Sequence, residues 1–188
     1  RAAVSIRVNP DVDAKTHRKI TTGLSENKFG IAWDSAPAIF AKANTLPGID
    51  VAGIAVHIGS QLTDLAPYRE AYGRVRNLAD QLRAEGIAIR VLDLGGGLGI
   101  PYDAETPPSP AEYGQLVKAV FGNSGYRLAF EPGRMICGNA GVLISRVVYV
   151  KQGIDRNFII LDAAMNDLIR PAMYESYHAV VPVIEPAP

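Results

Sequence analysis

The sequence predicts an α/β protein built on a mainly parallel sheet or barrel. The first observation is a series of strand-like runs, rich in β-branched and apolar residues and bounded by Gly, Pro or Asp, at Val4–Val8, Val51–Ile58, Ile89–Leu94, Arg127–Phe130 and Val142–Val150. The second is that helix-like segments separate most of these runs. Strands that alternate with helices are typical of parallel sheets, whose connections are usually helical.

The helix-like segments are recognised by apolar residues at helical spacing. Asp34 is a candidate cap for a helix that runs to about Ala43. Ser109-Pro110 opens another helix, with proline at its first position, that runs to about Phe121. Between them lies a longer helix that we expect to end at Gly86; its apolar stripe consists of Leu65, Tyr68, Tyr72, Val75, Leu78 and Leu82.

The pattern changes after Gly141. A strand-like run at Asn157–Leu161 follows Val142–Val150 with no helix between them, and the tail from Ala179 onward is apolar and proline-rich. We therefore expect residues 149–188 to begin a second domain of β type, after an α/β part that covers residues 1–148.

Composition limits the class of protein. The 188 residues carry 19 Lys+Arg and 19 Asp+Glu, a formal net charge of +0, and 48% of them are hydrophobic. Zero net charge argues against a nucleic-acid binder. The sequence contains no run of about 20 apolar residues, which a membrane-spanning helix would require. The single cysteine, Cys137, excludes an internal disulfide and a cysteine-rich zinc site, and we expect it to be a small packing residue.

Polar clusters follow three of the predicted strands. They are His57-Ile58-Gly59-Ser60, then Asp93-Leu94-Gly95-Gly96-Gly97-Leu98-Gly99, then Glu131-Pro132-Gly133-Arg134. In parallel α/β folds the carboxyl ends of the strands share one face, and that face holds the functional site. We therefore expect these clusters to converge.

The run Gly95–Gly97 favours an anion site, because glycines let the backbone approach a ligand and successive N–H groups can form a cradle for phosphate. Ile100 stands where a dinucleotide-binding G-x-G-x-x-G motif has its third glycine, and no Gly-Lys-Ser/Thr follows as in a P-loop. The alternative is a tight strand exit without a ligand. Arg134 supports the anion site, since a guanidinium binds phosphate or carboxylate through two parallel hydrogen bonds.

The other polar residues also have structural alternatives. His57 could be a core histidine with satisfied hydrogen bonds, and Glu131 could form a structural ion pair with Arg134. Together on one face with the glycine run, they favour a cofactor site. Arg170 and Tyr174 lie four residues apart, so on one helical face they form either a clamp for a carboxylate or a surface arginine stacked on tyrosine.

These clusters, in this order, resemble the fold-type III pyridoxal-phosphate-dependent decarboxylases over essentially the whole chain. The matching stretches are Arg7–Pro10, Thr22–Leu24 through Asn27–Gly30, His57–Gln61, Leu92–Gly99 with Pro101-Tyr102, Glu131–Arg134, and Asp162–Pro171 with Tyr174. The resemblance implies a partial (β/α)8 TIM barrel of the alanine racemase-like type over residues 1–148 and the start of a C-terminal β domain over residues 149–188. It also implies an internal fragment of a cytoplasmic homodimer with shared active sites.

The resemblance implies a role for each matching residue. His57 would stack on the pyridine ring of pyridoxal 5'-phosphate, and Glu131 would pair with the ring nitrogen. The phosphate would be held by Ser60, Gly95, Gly96, Gly97 and the backbone around Gly133 and Arg134. The substrate carboxylates would be bound by Arg134, Arg170 and Tyr174.

The resemblance also implies parts that lie outside this sequence. The lysine that binds the cofactor in this family would precede Arg1, and a Cys-Glu pair donated by the second subunit would follow Pro188. Lys42 is not a substitute, because it sits in the middle of a predicted helix and off its apolar stripe. We therefore assign no catalytic residue and no metal ligand here, and expect the 188 residues alone to be inactive.

The activity implied is decarboxylation of meso-2,6-diaminopimelate to L-lysine and CO2. Ile169-Arg170-Pro171 favours this substrate, because ornithine and arginine lack a second carboxylate for a second arginine to bind. The alternatives are a related decarboxylase of ornithine, arginine or carboxynorspermidine, and a non-catalytic module that binds phosphate or a cofactor.

Overall fold

A computed structural model describes residues 1–13 and 28–184. The stretch from Thr22 to Asn27, which carries part of one motif, lies outside the described residues. The chain divides into two compact units. The first unit comprises Arg1–Ile100 and Thr106–Gly138, and the second comprises Pro101–Glu105 and Asn139–Pro188. The predicted domain boundary after residue 148 stays a prediction.

Within the described residues, the first unit is built on a four-stranded parallel sheet in the sequential order β1-β2-β3-β4. The strands are β1 (Ala2–Arg7), β2 (Ile49–Ala55), β3 (Val91–Asp93) and β4 (Arg127–Ala129). Sequential order with helical connections is the arrangement found in a (β/α)8 barrel. The α/β class with a parallel sheet is therefore confirmed.

The register of the sheet brings all four carboxyl ends to one level. Arg7 aligns with Ala55, Ala55 with Asp93, and Asp93 with Ala129. These are the last residues of their strands, so the loops that follow them leave from the same edge. This alignment produces the convergence that the parallel pattern predicts.

Within its described residues, the first unit has four α-helices, of which the first three contribute buried side chains to its core. They are α1 (Ala36–Asn44), α2 (Ala66–Ala84), α3 (Pro110–Phe121) and the short α4 (Arg134–Cys137). The start of α3 is fixed by a capping box, in which Ser109 Oγ accepts from the Glu112 N–H at 3.2 Å and the Glu112 carboxylate accepts from the Ser109 N–H at 2.8 Å. The stripe of α2 faces a core whose fully buried side chains include Phe40, Ile54, Tyr68, Tyr72, Leu82 and Leu92.

Two expectations about single residues are wrong. Asp34 does not cap α1, because it lies inside a 3-10 turn (Trp33–Ser35) and Ser35 takes the N-cap position without a side-chain hydrogen bond. Cys137 is not a packing residue but is exposed, because the four-residue α4 buries none of its side chains.

The second unit contains an antiparallel pair, β5 (Val147–Gln152) and β6 (Asn157–Leu161), and the short helix α5 (Arg170–Tyr174). The run Asn157–Leu161 matches its prediction, whereas the preceding strand begins at Val147 instead of Val142. The reason is pairing, since β6 provides partners only from Val147 onward. No helix among the described residues is long and apolar enough to cross a membrane.

Candidate functional site

The loops after β2, β3 and β4 are joined by hydrogen bonds at the carboxyl edge of the sheet. The Gly96 N–H donates to Nδ1 of His57 at 3.3 Å, and the Glu131 N–H donates to the Gly95 carbonyl oxygen at 2.8 Å. The glycine run is therefore held from both sides, by the loop after β2 and by the loop after β4. The structure brings together the three polar clusters that the sequence places at strand ends.

Glycine is required in this run because backbone from both neighbouring loops approaches closely. A Cβ on each glycine would run into a carbonyl oxygen; the pairs are Gly95 with Val56, Gly96 with Glu131, and Gly97 with Gly59. Gly95 and Gly97 also have φ angles of +67° and +102°, which side chains disfavour. Close packing alone thus explains the three glycines, so an anion role needs separate support.

That support comes from the N–H groups of the run. The Gly95 N–H donates to Oδ1 of Asp93 at 2.9 Å, and the Gly96 N–H is taken by His57. Within the described part of the chain, the N–H of Gly97 donates to no protein acceptor, and Gly97 is half-buried. Of the three glycine N–H groups, the one left to bind an anion is therefore that of Gly97.

His57 is half-buried, and burial lowers the pKa of its imidazole below the usual 6.5. The positive charge of Arg7 lowers this pKa further, while the carboxylates of Glu131 and Asp93 raise it. Nδ1 accepts a hydrogen bond from Gly96, so it carries no proton in this arrangement. The hydrogen-bond geometry and the burial of the ring both favour a neutral imidazole with its hydrogen on Nε2.

Gln61 links the loop after β2 to the loop after β3. Its side chain donates to the Ile100 carbonyl oxygen at 2.6 Å and accepts from the Ile100 N–H at 3.1 Å. The same Oε1 atom accepts from Nη1 of Arg134 at 3.4 Å. Gln61 thus binds Arg134, which is one of the predicted site residues. Gln61 directly follows Ser60, another predicted site residue, which is half-buried.

The loop after β4 is open to solvent at Glu131 and Gly133, while Arg134 is half-buried. A cavity of about 430 Å³ lies against this loop and the glycine run; its walls include Gly95, Gly96, Leu98, Tyr113, Phe130 and Gly133. Among the described residues, no group of three His, Cys, Asp or Glu side chains could hold a metal ion.

In the sequence, Tyr68 and Tyr72 are recognisable only as members of the apolar stripe of α2. Their hydroxyls reach the glycine run, since Tyr68 donates to the Gly96 carbonyl oxygen at 3.2 Å and Tyr72 donates to the Leu94 carbonyl oxygen at 3.1 Å. A signal was available, because a buried tyrosine usually needs a hydrogen-bond partner that a phenylalanine would not.

Arg170 and Tyr174 belong to the second unit, at the two ends of α5. The Arg170 guanidinium lies 5.6 Å from the ring centroid of Tyr102, and its Nη2 donates to the Tyr102 hydroxyl and to Ser176 Oγ, both at 3.1 Å. The four-residue spacing in the sequence suggests that Arg170 lies beside Tyr174, but in the structure Arg170 contacts the aromatic ring of Tyr102. The role of Arg170 and Tyr174 as a carboxylate clamp stays a prediction.

Comparison with protein families defines the class. The model of the pyridoxal-dependent decarboxylases that describes their pyridoxal binding domain matches residues 1–138. This match covers well over half of the 188 residues, and it contains the sheet and all three strand-end loops. The chain belongs to the pyridoxal-dependent decarboxylase family, which confirms the resemblance drawn from the motifs.

Within this family, several relatives that resemble the chain are named diaminopimelate decarboxylase. The chain is 52% identical over 184 residues to diaminopimelate decarboxylase of Vibrio cholerae, a match that covers 97% of this chain and 44% of the relative. The crystal structure of diaminopimelate decarboxylase from Helicobacter pylori complexed with L-lysine is similar with a TM-score of 0.91 and 41% identity, covering 95% of this chain and 45% of that one.

A lysine decarboxylase from Selenomonas ruminantium is also similar in structure, with a TM-score of 0.77 and 27% identity, covering 93% of this chain and 44% of that one. The chain thus spans less than half the length of the relatives that it matches.

Proposed function

We propose that the protein to which this chain belongs decarboxylates meso-2,6-diaminopimelate to L-lysine and CO2 with pyridoxal 5'-phosphate. The observation that carries this proposal is the glycine run, which is held between His57 and Glu131 and keeps the Gly97 N–H for an anion. The 52% identity to a diaminopimelate decarboxylase supports the choice of reaction.

The residues of the site fit the cofactor. An N–H without a protein acceptor on a close-packed loop suits a phosphate, and we propose that Ser60 and the backbone at Gly133 and Arg134 complete this phosphate site. A neutral imidazole suits the face of an aromatic ring, which is the place we propose for His57. An exposed carboxylate suits a protonated pyridine nitrogen, which is the place we propose for Glu131.

Pyridoxal phosphate, when bound, supplies an electron-withdrawing ring that stabilises the negative charge left when CO2 departs. The chain's own residues support this in two ways. Glu131 keeps a proton on the ring nitrogen, because a carboxylate favours the charged form of its partner. His57 stays neutral next to Arg7, so it adds no positive charge that would oppose protonation of the nitrogen.

We assign substrate recognition to Arg134, Arg170 and Tyr174. A guanidinium matches a carboxylate with two parallel hydrogen bonds, and diaminopimelate carries a carboxylate at each end. The structure of the Helicobacter pylori relative is a complex with L-lysine, which is the product of the proposed reaction. We further propose that the whole protein is a cytoplasmic homodimer with shared active sites, and that the 188 residues alone are inactive.

The second candidate is a decarboxylase of a basic amino acid, favoured by the likeness to the Selenomonas lysine decarboxylase. The test is CO2 release by the full-length protein from diaminopimelate, lysine, ornithine, arginine and carboxynorspermidine. We expect release from diaminopimelate above all others, with L-lysine as product. Preference for a substrate with one carboxylate would favour the second candidate, and no release from any substrate would favour a non-catalytic binding module.

A further inference from the structure

Three tyrosines form a cluster beneath the glycine run. Tyr68 and Tyr72 stand on α2 and are fully buried, and Tyr113 stands on α3. The ring centroids of Tyr68 and Tyr72 lie 5.6 Å apart, and those of Tyr68 and Tyr113 lie 5.2 Å apart. Such contacts fix the rings, so the hydroxyls point in defined directions.

Each hydroxyl has a specific acceptor. Tyr68 donates to the carbonyl of Gly96, and Tyr72 donates to the carbonyl of Leu94. The hydroxyls of Tyr72 and Tyr113 lie 2.6 Å apart. Because a phenol has one hydrogen and Tyr72 gives it to Leu94, Tyr113 donates to Tyr72 and holds it in place.

A hydrogen bond to a carbonyl also sets the direction of the N–H that shares its peptide. The C=O and N–H of a trans peptide point in opposite directions, and no cis peptide bond occurs among the described residues. The Gly96 carbonyl and the Gly97 N–H share one peptide. Tyr68 therefore aims the Gly97 N–H away from the buried tyrosines, and Tyr72 does the same for the Gly95 N–H that donates to Asp93.

Burial raises the pKa of Tyr68 and of Tyr72 above the usual value for tyrosine. Both hydroxyls therefore keep their hydrogens at neutral pH. They are permanent donors to the loop.

We propose that Tyr68 and Tyr72 are positioning residues for the phosphate of the cofactor and act from beneath the glycine run. Tyr68 orients the peptide that carries the Gly97 N–H, and Tyr72 fixes the Leu94–Gly95 peptide at which the run begins. This inference rests on the proposed function, because it takes the anion at Gly97 to be that phosphate. Neither tyrosine touches the cofactor. They contribute to its affinity because Tyr68 fixes the peptide that donates to it and Tyr72 fixes the peptide that precedes the run.

The experiment compares two ligands on the full-length protein and on its Tyr68→Phe and Tyr72→Phe variants. Pyridoxal phosphate carries the phosphate, and pyridoxal lacks it. We expect each variant to bind pyridoxal phosphate about fivefold more weakly, the effect of one hydrogen bond, and to bind pyridoxal as the unchanged protein does. Affinities are measured by equilibrium dialysis, and thermal unfolding of the ligand-free proteins is recorded beside them.

Tyr126→Phe is the matched control. The Tyr126 hydroxyl donates to Asp80 at 2.6 Å, so this variant also removes a short hydrogen bond of a buried tyrosine, but one that does not contact the glycine run. We expect it to leave the affinity for pyridoxal phosphate unchanged, whatever its effect on the unfolding temperature.

The outcomes separate this inference from the proposed function. If the unchanged protein binds pyridoxal phosphate no better than pyridoxal, the phosphate site itself is wrong, and the inference fails with it. If it prefers pyridoxal phosphate but the variants keep that preference, the tyrosines have no positioning role and only the inference is overturned. Should Tyr72→Phe fail to fold, Tyr68→Phe decides alone.

Discussion

At the scale of single residues, His57 illustrates how one side chain couples the fold to the site. It accepts a hydrogen bond from Gly96 and lies near charges on every neighbouring element, namely Arg7 at the end of β1, Asp93 at the end of β3 and Glu131 after β4. Protonation of Nδ1 would remove the acceptor for the Gly96 N–H. The neutral ring is therefore part of what holds the glycine run.

We therefore expect the free energy of unfolding to decrease as the pH is lowered, and part of this decrease to come from His57. Its pKa in the folded state is lower than 6.5, so when pH falls through that value the unfolded chain takes up a proton that the folded chain resists. The free energy of unfolding contributed by His57 is present above this range and is lost below it. We expect the unfolding temperature to drop more between about pH 7.5 and about pH 5.5 in the unchanged protein than in His57→Gln.

His178→Gln, which removes an imidazole from the second unit, is the control for that measurement. An equal acid response of the unchanged protein and His57→Gln would show that the neutral state of His57 is not linked to folding.

The residues at the strand ends were predictable, because a polar cluster after an apolar strand is visible in the sequence. His57, Glu131 and the glycines are identified in this way. The hydroxyls of Tyr68 and Tyr72 and the amide of Gln61 were not, because their acceptors lie 22 to 39 residues away along the chain. Only the packing of α2 on the sheet and the register of the loops bring these partners together.

At the scale of helices and strands, the predicted bounds agree with the structure where the residues that set them are close together in the sequence. The start of α3 follows from Ser109, Pro110 and Glu112, all within one turn, and the prediction for this helix is confirmed. The strand β3 is shorter than the predicted Ile89–Leu94, because its bounds are set by pairing with β2 and β4. Pairing across the sheet is a property of distant segments, which a single apolar run does not reveal.

The glycine run gives a prediction at this scale. A Cβ at Gly96 would meet the backbone of Glu131, and φ at Gly96 is not positive, so steric crowding alone opposes a side chain there. We expect Gly96→Ala to lower the free energy of unfolding of the ligand-free protein by about 1–3 kcal/mol, the cost of overpacking. Chemical denaturation without cofactor measures this effect.

Gly73→Ala is the matched control, because Gly73 lies inside α2 and a Cβ there would have no neighbour within 4 Å. A glycine in a helix interior costs about 0.5–1 kcal/mol relative to alanine, so we expect this variant to be more stable. If Gly96→Ala were as stable as the unchanged protein without cofactor, the run would be needed for a ligand and not for packing.

At the scale of the whole molecule, apolar side chains are distributed unequally. The first unit buries a continuous core between its sheet and its helices. Most of the large apolar side chains that are exposed lie in the second unit, among them Val142, Ile154 and Val180, which are 88%, 103% and 89% exposed. In addition, among the described strands β1 pairs only with β2, and β4 only with β3.

Contiguous exposed apolar surface and open sheet edges favour association with other polypeptide. We therefore expect the isolated 188-residue chain to bind a hydrophobic dye strongly and to form oligomers in size-exclusion chromatography. Residues 1–138, which omit nearly all of the second unit, are the comparison. Because they lack its exposed side chains but keep both sheet edges, they should bind much less dye and still associate. Equal dye binding by the two chains would locate the exposed apolar surface in the first unit instead, and a monomeric 1–138 would show that the sheet edges do not drive association.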